Sequence, residues 1–143
     1  MTTLSAIPIR HPFIDMILAG VKTWEIRSKF TKKIGPVALI RSGSGTVVAT
    51  ATLTEVIKLT AEFAYENLNN MGIKSMPREK ANNFEGKYAW VLKDIIKLNT
   101  PVPYKHPPGA VTWVALDEST TDKVIAEAKS SLKVKSMPNI TYR

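Results

Sequence analysis

Thirteen consecutive residues, Thr46–Lys58, contain neither glycine nor proline and are rich in β-branched side chains: Val47, Val48, Thr50, Thr52, Thr54, Val56 and Ile57. Side chains of that kind fit a pleated, half-buried surface. The stretch therefore predicts a long central strand, around which the shorter apolar runs must be arranged. Residues 4–9 read as a first strand that Pro8 confines to its end or to an edge. Residues 36–40 and 88–92 read as buried strands, residues 95–98 as a further strand after a Lys93-Asp94 turn, and residues 111–116 as a closing strand.

Between these runs lie short helical patterns. Pro12 suits a first helical turn, with Phe13, Ile14, Ile17 and Leu18 at helical spacing and Gly20 as the stop. Thr60 is a good N-cap for a second helix carrying Phe63, Ala64, Leu68 and Met71 up to Gly72. Residues 117–129 predict a third, with Val124, Ile125 and Ala128 on one side. Residues 73–86 read as an exposed polar insert, and residues 100–109, with four prolines, as a stiff loop. About six short strands with two or three flanking helices point to an α+β chain built on a small β-barrel rather than a doubly wound sheet. The expected domain spans residues 1–132, followed by a basic, flexible tail at 133–143.

At 143 residues the chain suits one domain with its own core. No apolar run approaches the roughly 20 residues of a membrane span, and the N-terminus lacks a signal-peptide pattern. The expectation is a cytoplasmic protein with no membrane partner. The absence of cysteine excludes disulfides, thiolate metal sites and a cysteine nucleophile, and two histidines, His11 and His106, are too few for a histidine-rich zinc site. No metal and no cofactor are expected. A net charge of +8, from 20 Lys and Arg against 12 Asp and Glu, suits a polyanionic partner and equally serves solubility.

The segment with most chemistry follows Gly20. In Lys22-Thr23-Trp24-Glu25-Ile26-Arg27 long polar and large apolar side chains alternate, the period-two signature of a half-buried strand. Strict alternation puts Glu25 and Arg27 on one face and Lys22 on the other, unless the strand begins after Lys22. Lys and Arg around one carboxylate form a mutually oriented network: Arg presents a planar fork to phosphate or a base edge, Lys a compact charge, and Glu aims the cations or accepts from ligand amines. A surface strand with ordinary cross-strand pairing accounts for the same residues.

Arg10 and His11 precede the first helix and can reach the same end of the barrel, His11 more as a local hydrogen-bonding residue than as a catalyst. Ser42 and its neighbouring glycines can offer backbone N–H groups to an anion, or simply form a hairpin loop. Trp24, Tyr88, Trp90, Trp113 and Tyr104 are each able to stack on a base, but most of them belong in the core, Trp90 and Trp113 within apolar strands above all, whereas Tyr104 in the proline-rich loop is the better exposed candidate. Lys29, Lys32 and Lys33 form a basic cluster suited to a phosphate backbone or to a solvated loop, as do Lys133 and Lys135.

The run Pro8-Ile9-Arg10-His11-Pro12, then Ile17 and Gly20, then Lys22, Glu25 and Arg27 resembles the opening signature of ASCH domains, in the PUA-like class. The resemblance continues through residues 35–42, residues 45–56, Tyr88-Ala89-Trp90-Val91-Leu92, and Pro107-Pro108-Gly109 followed by Trp113, covering roughly residues 4–116. It implies a PUA-like barrel and an RNA- or nucleotide-binding module with a basic pocket. It also implies an alternative, because some ASCH proteins are amidohydrolases of acylated cytidine that use Lys, Thr and Glu, and others are associated with ribonuclease activity. Lys22 matches that lysine, but Glu25 stands where that subgroup has threonine, Thr23 points the other way, and the helical acid has only Glu66 or Glu62 as stand-ins. A Lys22/Glu25 pair could still support general acid–base hydrolysis with water as nucleophile.

Overall fold

The structure, a computed structural model, describes residues 3–136. Six strands form one sheet: β1 (Ser5–Ile9), β2 (Trp24–Arg27), β3 (Gly35–Arg41), β4 (Thr46–Lys58), β5 (Tyr88–Pro103) and β6 (Val114–Ala115), in the order β2-β5-β4-β3-β1-β6. All hydrogen-bonded neighbours are antiparallel except β1 and β3. The sheet curls into a half-barrel whose edges are β2 and β6. Three helices flank it: α1 (Phe13–Leu18), α2 (Ala61–Glu66) and α3 (Glu118–Ser136).

Much of the sheet is buried on both faces, which is why β1, β3 and the start of β5 read as continuous apolar runs rather than as strict alternation. Ile7, Ile9, Val37, Leu39, Leu53, Trp90 and Leu92 fill the concave side, closed at one end by Ile14 and Ile17 of α1. On the convex side Ala6, Ala38, Ile40, Leu98 and Val102 meet Val124 and Ala128 of α3. Further along that side Trp24, Ala89 and Val91 meet Leu59, Ala64 and Met71 around α2.

The predicted central strand forms over Thr46–Lys58, and Thr60 caps α2, its side chain accepting from the Phe63 N–H. Other elements differ from expectation. The Lys93-Asp94 turn is a bulge inside one long strand: Thr50 faces Ile96 and Thr52 faces Lys93, so β5 absorbs an extra residue, with Asp94 at φ 53°. Residues 100–103, expected in the loop, extend β5. The second helix breaks at Asn67, and a 3₁₀ turn, Leu68–Met71, completes it before Gly72 at φ 75°. Residues 78–84 of the insert coil into another 3₁₀ segment that buries Ala81. The closing strand shrinks to Val114–Ala115, and α3 runs to Ser136 rather than to Lys129. Residues 137–143 of the expected tail lie outside the described residues. Among the described residues no helix is long and apolar enough to cross a membrane, and no group of three His, Asp or Glu could hold a metal ion.

Candidate functional site

Strand β2 begins at Trp24, so its alternation starts there. Trp24 and Ile26 pack to the convex side, Trp24 stacking on Phe63 with ring centroids 5.8 Å apart, and Glu25 and Arg27 consequently face the concave side. There Arg27 Nε donates to Glu25 Oε2 at 2.9 Å, and its terminal nitrogen Nη2 donates to the Pro8 carbonyl. The guanidinium lies 5.5 Å from the ring centroid of Trp90. Trp90 is itself fixed: it stacks on Trp113 at 5.3 Å, and its Nε1 donates to the Lys29 carbonyl at 3.0 Å.

Lys22 precedes the strand, and the alternation of β2 does not govern it. Gly20, at φ 81°, ends α1, and the Val21 and Lys22 N–H groups both turn back to the Met16 carbonyl. Thr23 is clamped from two sides, its N–H donating to the Asn70 carbonyl at 2.9 Å and its carbonyl accepting from the Leu92 N–H at 2.8 Å. This segment delivers the Lys22 side chain to the same concave side as Glu25 and Arg27. Gly72 makes room for it. Its positive φ disfavours a side chain, and a Cβ there would run into the Met16 methyl and lie 3.3 Å from Lys22 Cβ.

Lys22 is only 4 % exposed, and among the described residues its ammonium has no hydrogen-bond partner, lying 5.4 Å from the Phe13 ring centroid. Burial pushes its pKa below the ordinary lysine value; Glu25 opposes that shift and Arg27 adds to it.

These side chains open into a cavity of about 1160 Å³. Arg10, Lys22, Glu25, Arg27, Ser42 and Tyr104, six residues singled out from the sequence, all line it. Others lie elsewhere. Lys29, Lys32 and Lys33 are exposed outside the cavity; Lys33 reaches Ser5 Oγ at 3.3 Å and sits 5.0 Å from the Trp113 ring centroid. Glu62 and Glu66 are on the exposed side of α2, away from Lys22, and the hydroxyl of Thr23 faces Asn70. His11 turns to Asp15 at 3.0 Å.

Sequence reasoning passed over several residues. Phe13, Met16, Met71 and Phe84 give the cavity apolar walls, Lys87 adds a cation and Ser28 a hydroxyl. Phe84 and Lys87 arrive through the folding of the insert, which has no strong local signal. His106 also lines the cavity, its Nδ1 2.8 Å from the Tyr104 hydroxyl. Beside the cavity Arg41 binds Asp15 through both terminal nitrogens, at 2.8 and 3.0 Å. With His11 it holds the Asp15 pKa down at about 2. The pair joins the end of β3 to α1 over 26 residues of sequence, a separation no periodicity reveals.

The sequence profile of the ASCH domain matches residues 7–102. No curated protein matches the chain. Among solved structures, the ASCH protein of Zymomonas mobilis is similar at a TM-score of 0.64 and 15% identity, over 87% of this chain and 94% of that one. A tyrosine-to-phenylalanine variant of the same protein gives a TM-score of 0.65 at 15% identity, over 87% and 98%. At that identity the likeness speaks for the fold alone, and it agrees with the curled six-stranded sheet. With the profile matching two thirds of its length, the chain belongs to the ASCH domain family.

Proposed function

We propose that the chain is an RNA- or nucleotide-binding ASCH module that takes a phosphate and a base into the cavity around Lys22, Glu25 and Arg27. One observation carries this reading: four cationic side chains, Arg10, Lys22, Arg27 and Lys87, line a single concavity against the one carboxylate of Glu25. Such an excess of positive charge over an apolar-walled pocket suits a ligand that is anionic at one end and aromatic at the other. Arg27 has Nε and Nη2 engaged by the protein, which fixes the plane of its fork and leaves Nη1 to a ligand. Lys22 gains most from an anion, because a phosphate beside it offsets the cost of its burial. Lys29, Lys32 and Lys33, outside the cavity, are placed to add salt-sensitive contacts to a longer strand. The test is binding of a short single-stranded RNA at several salt concentrations. Affinity is expected to fall steeply with salt and to drop at least about tenfold in Lys22→Ala. Unchanged affinity in a folded Lys22→Ala protein would refute the reading.

A second reading, hydrolysis of RNA or of acylated cytidine, draws on the lowered pKa of Lys22 near Glu25. The neutral amine of Lys22, which burial favours, can take a proton from water and hand it on to the leaving amine, with the Glu25 carboxylate orienting the site. Turnover of N4-acetylcytidine that disappears in folded Lys22→Ala would favour it; no turnover at any pH would leave binding as the function.

A further inference from the structure

Tyr104 and His106 sit on the loop between β5 and β6, and both line the cavity. The two hydrogen bonds of His106 together assign the proton of its neutral form. Nε2 is 2.8 Å from the Ala110 carbonyl, which can only accept, so Nε2 carries the hydrogen. A neutral imidazole has one N–H, which leaves Nδ1 bare and accepting. Its partner at 2.8 Å is the Tyr104 hydroxyl, which must therefore donate. With its single proton held by His106, the phenol oxygen offers the cavity lone pairs only. Burial pushes the Tyr104 pKa up, which keeps the phenol in its protonated, donating form.

The pair is also held still. The Tyr104 N–H donates to the Gly45 carbonyl at 3.1 Å, tying the loop to the β3–β4 hairpin, and the Ala110 N–H donates to the Pro107 carbonyl at 3.2 Å. The two rings meet edge to face at 5.7 Å. Pro103 on one side of the pair and Pro107 and Pro108 on the other restrict the flanking backbone. A fixed acceptor on a cavity wall discriminates by charge pattern, because an opposing acceptor would find no proton to share.

Resting on the nucleotide-binding reading of the cavity, we infer that Tyr104 and His106 form a specificity pair. They present the Tyr104 oxygen as an acceptor and select bases that bear an exocyclic amine over uracil. Cytosine and adenine carry N–H donors at N4 and N6, where uracil carries the acceptor O4. Glu25 reinforces the pattern: one of its oxygens accepts from Arg27, and the other has no hydrogen bond among the described residues. The cavity thus sets cations for a phosphate beside acceptors for an amine.

The experiment measures binding of CMP, AMP and UMP to the full chain at pH 8. Wild type is expected to bind the better of CMP and AMP on the order of tenfold more tightly than UMP. Tyr104→Phe keeps the ring and should bring that ratio close to one. His106→Ala keeps the phenol but frees its proton, so UMP should gain relative to the amine-bearing nucleotides; this variant also serves if Tyr104→Phe fails to fold. Wild type that binds nucleotides without preferring the amine, or a preference that survives both substitutions, overturns the specificity pair while the binding site stands. Wild type that binds none of the three overturns the binding reading and the specificity pair together.

Discussion

Arg27 donates through Nε to Glu25 Oε2 at 2.9 Å, two residues back along the same face of β2. The carboxylate orients the fork and also cancels one positive charge in the lining of a cavity read as an anion site. Glu25→Ala leaves Arg27 held by the Pro8 carbonyl and the Trp90 ring. RNA binding should survive in this variant, within about threefold of wild type or tighter, with a steeper salt dependence. Fluorescence anisotropy at three salt concentrations checks this, and a loss comparable with that of Lys22→Ala would show that the amine-accepting oxygen of Glu25 outweighs the positive charge it cancels.

Lys22 is expected to leave a signature in alkaline stability. Its folded pKa lies below the ordinary lysine value of 10.5. Between that lowered value and 10.5 the unfolded chain holds a proton that the folded chain has released, so stability rises with pH across that window. Below it both states are protonated and the full cost of the buried ammonium is present. Urea unfolding from about pH 8 to about pH 10 should show this rise in wild type and not in Lys22→Met, which at pH 8 should be more stable by about 1 kcal/mol. The range stops there because Tyr104, which burial raises above the ordinary tyrosine value of 10.0, contributes the opposite slope at higher pH. Parallel curves for the two proteins would contradict the burial of Lys22.

Asp15 should act on the acid side. Its pKa falls from 3.8 to about 2 because Arg41 and His11 bind its carboxylate. The stabilisation is complete above 3.8 and is lost as pH falls through about 2. The difference in melting temperature between wild type and Asp15→Asn should therefore be constant near neutrality and close between about pH 4 and about pH 2. A difference that persists at the acid end would assign it to packing rather than charge.

Gly72 is predicted to be intolerant of any side chain. With φ at 75° and Met16 in the way of a Cβ, Gly72→Ala should cost about 1–3 kcal/mol. Relief of the clash would displace Met16 or Lys22, so nucleotide affinity should fall further than stability alone explains. Chemical denaturation and nucleotide titration of the same variant separate the two effects.

The long strand, the caps at Gly20 and Thr60 and the facing of Glu25 with Arg27 were all legible in the sequence, because each is set within a few neighbouring residues. The bulge at Asp94 was not. A polar dipeptide between apolar runs looks the same whether the chain turns or absorbs one extra residue, and only pairing with β4 decides. The place of Lys22 depended on where β2 starts, which the clamps from Asn70 and Leu92 determine across long stretches of chain. His106 went unused as a site residue because two histidines suggested no metal, and its role comes from contacts with Tyr104 and Ala110 rather than from any motif. Lys29, Lys32 and Lys33 follow Arg27 closely in sequence yet leave the cavity, since the chain turns outward after β2.

The most direct measurement is an amide NMR titration of the full chain with CMP and AMP. Binding in the cavity predicts the largest shifts at Arg10, Lys22, Glu25, Arg27, Ser42 and Gly72, with Lys22→Ala weakening the response at every one of them. Shifts confined to Lys29, Lys32 and Lys33, or a response unchanged by Lys22→Ala, would contradict the cavity as the binding site.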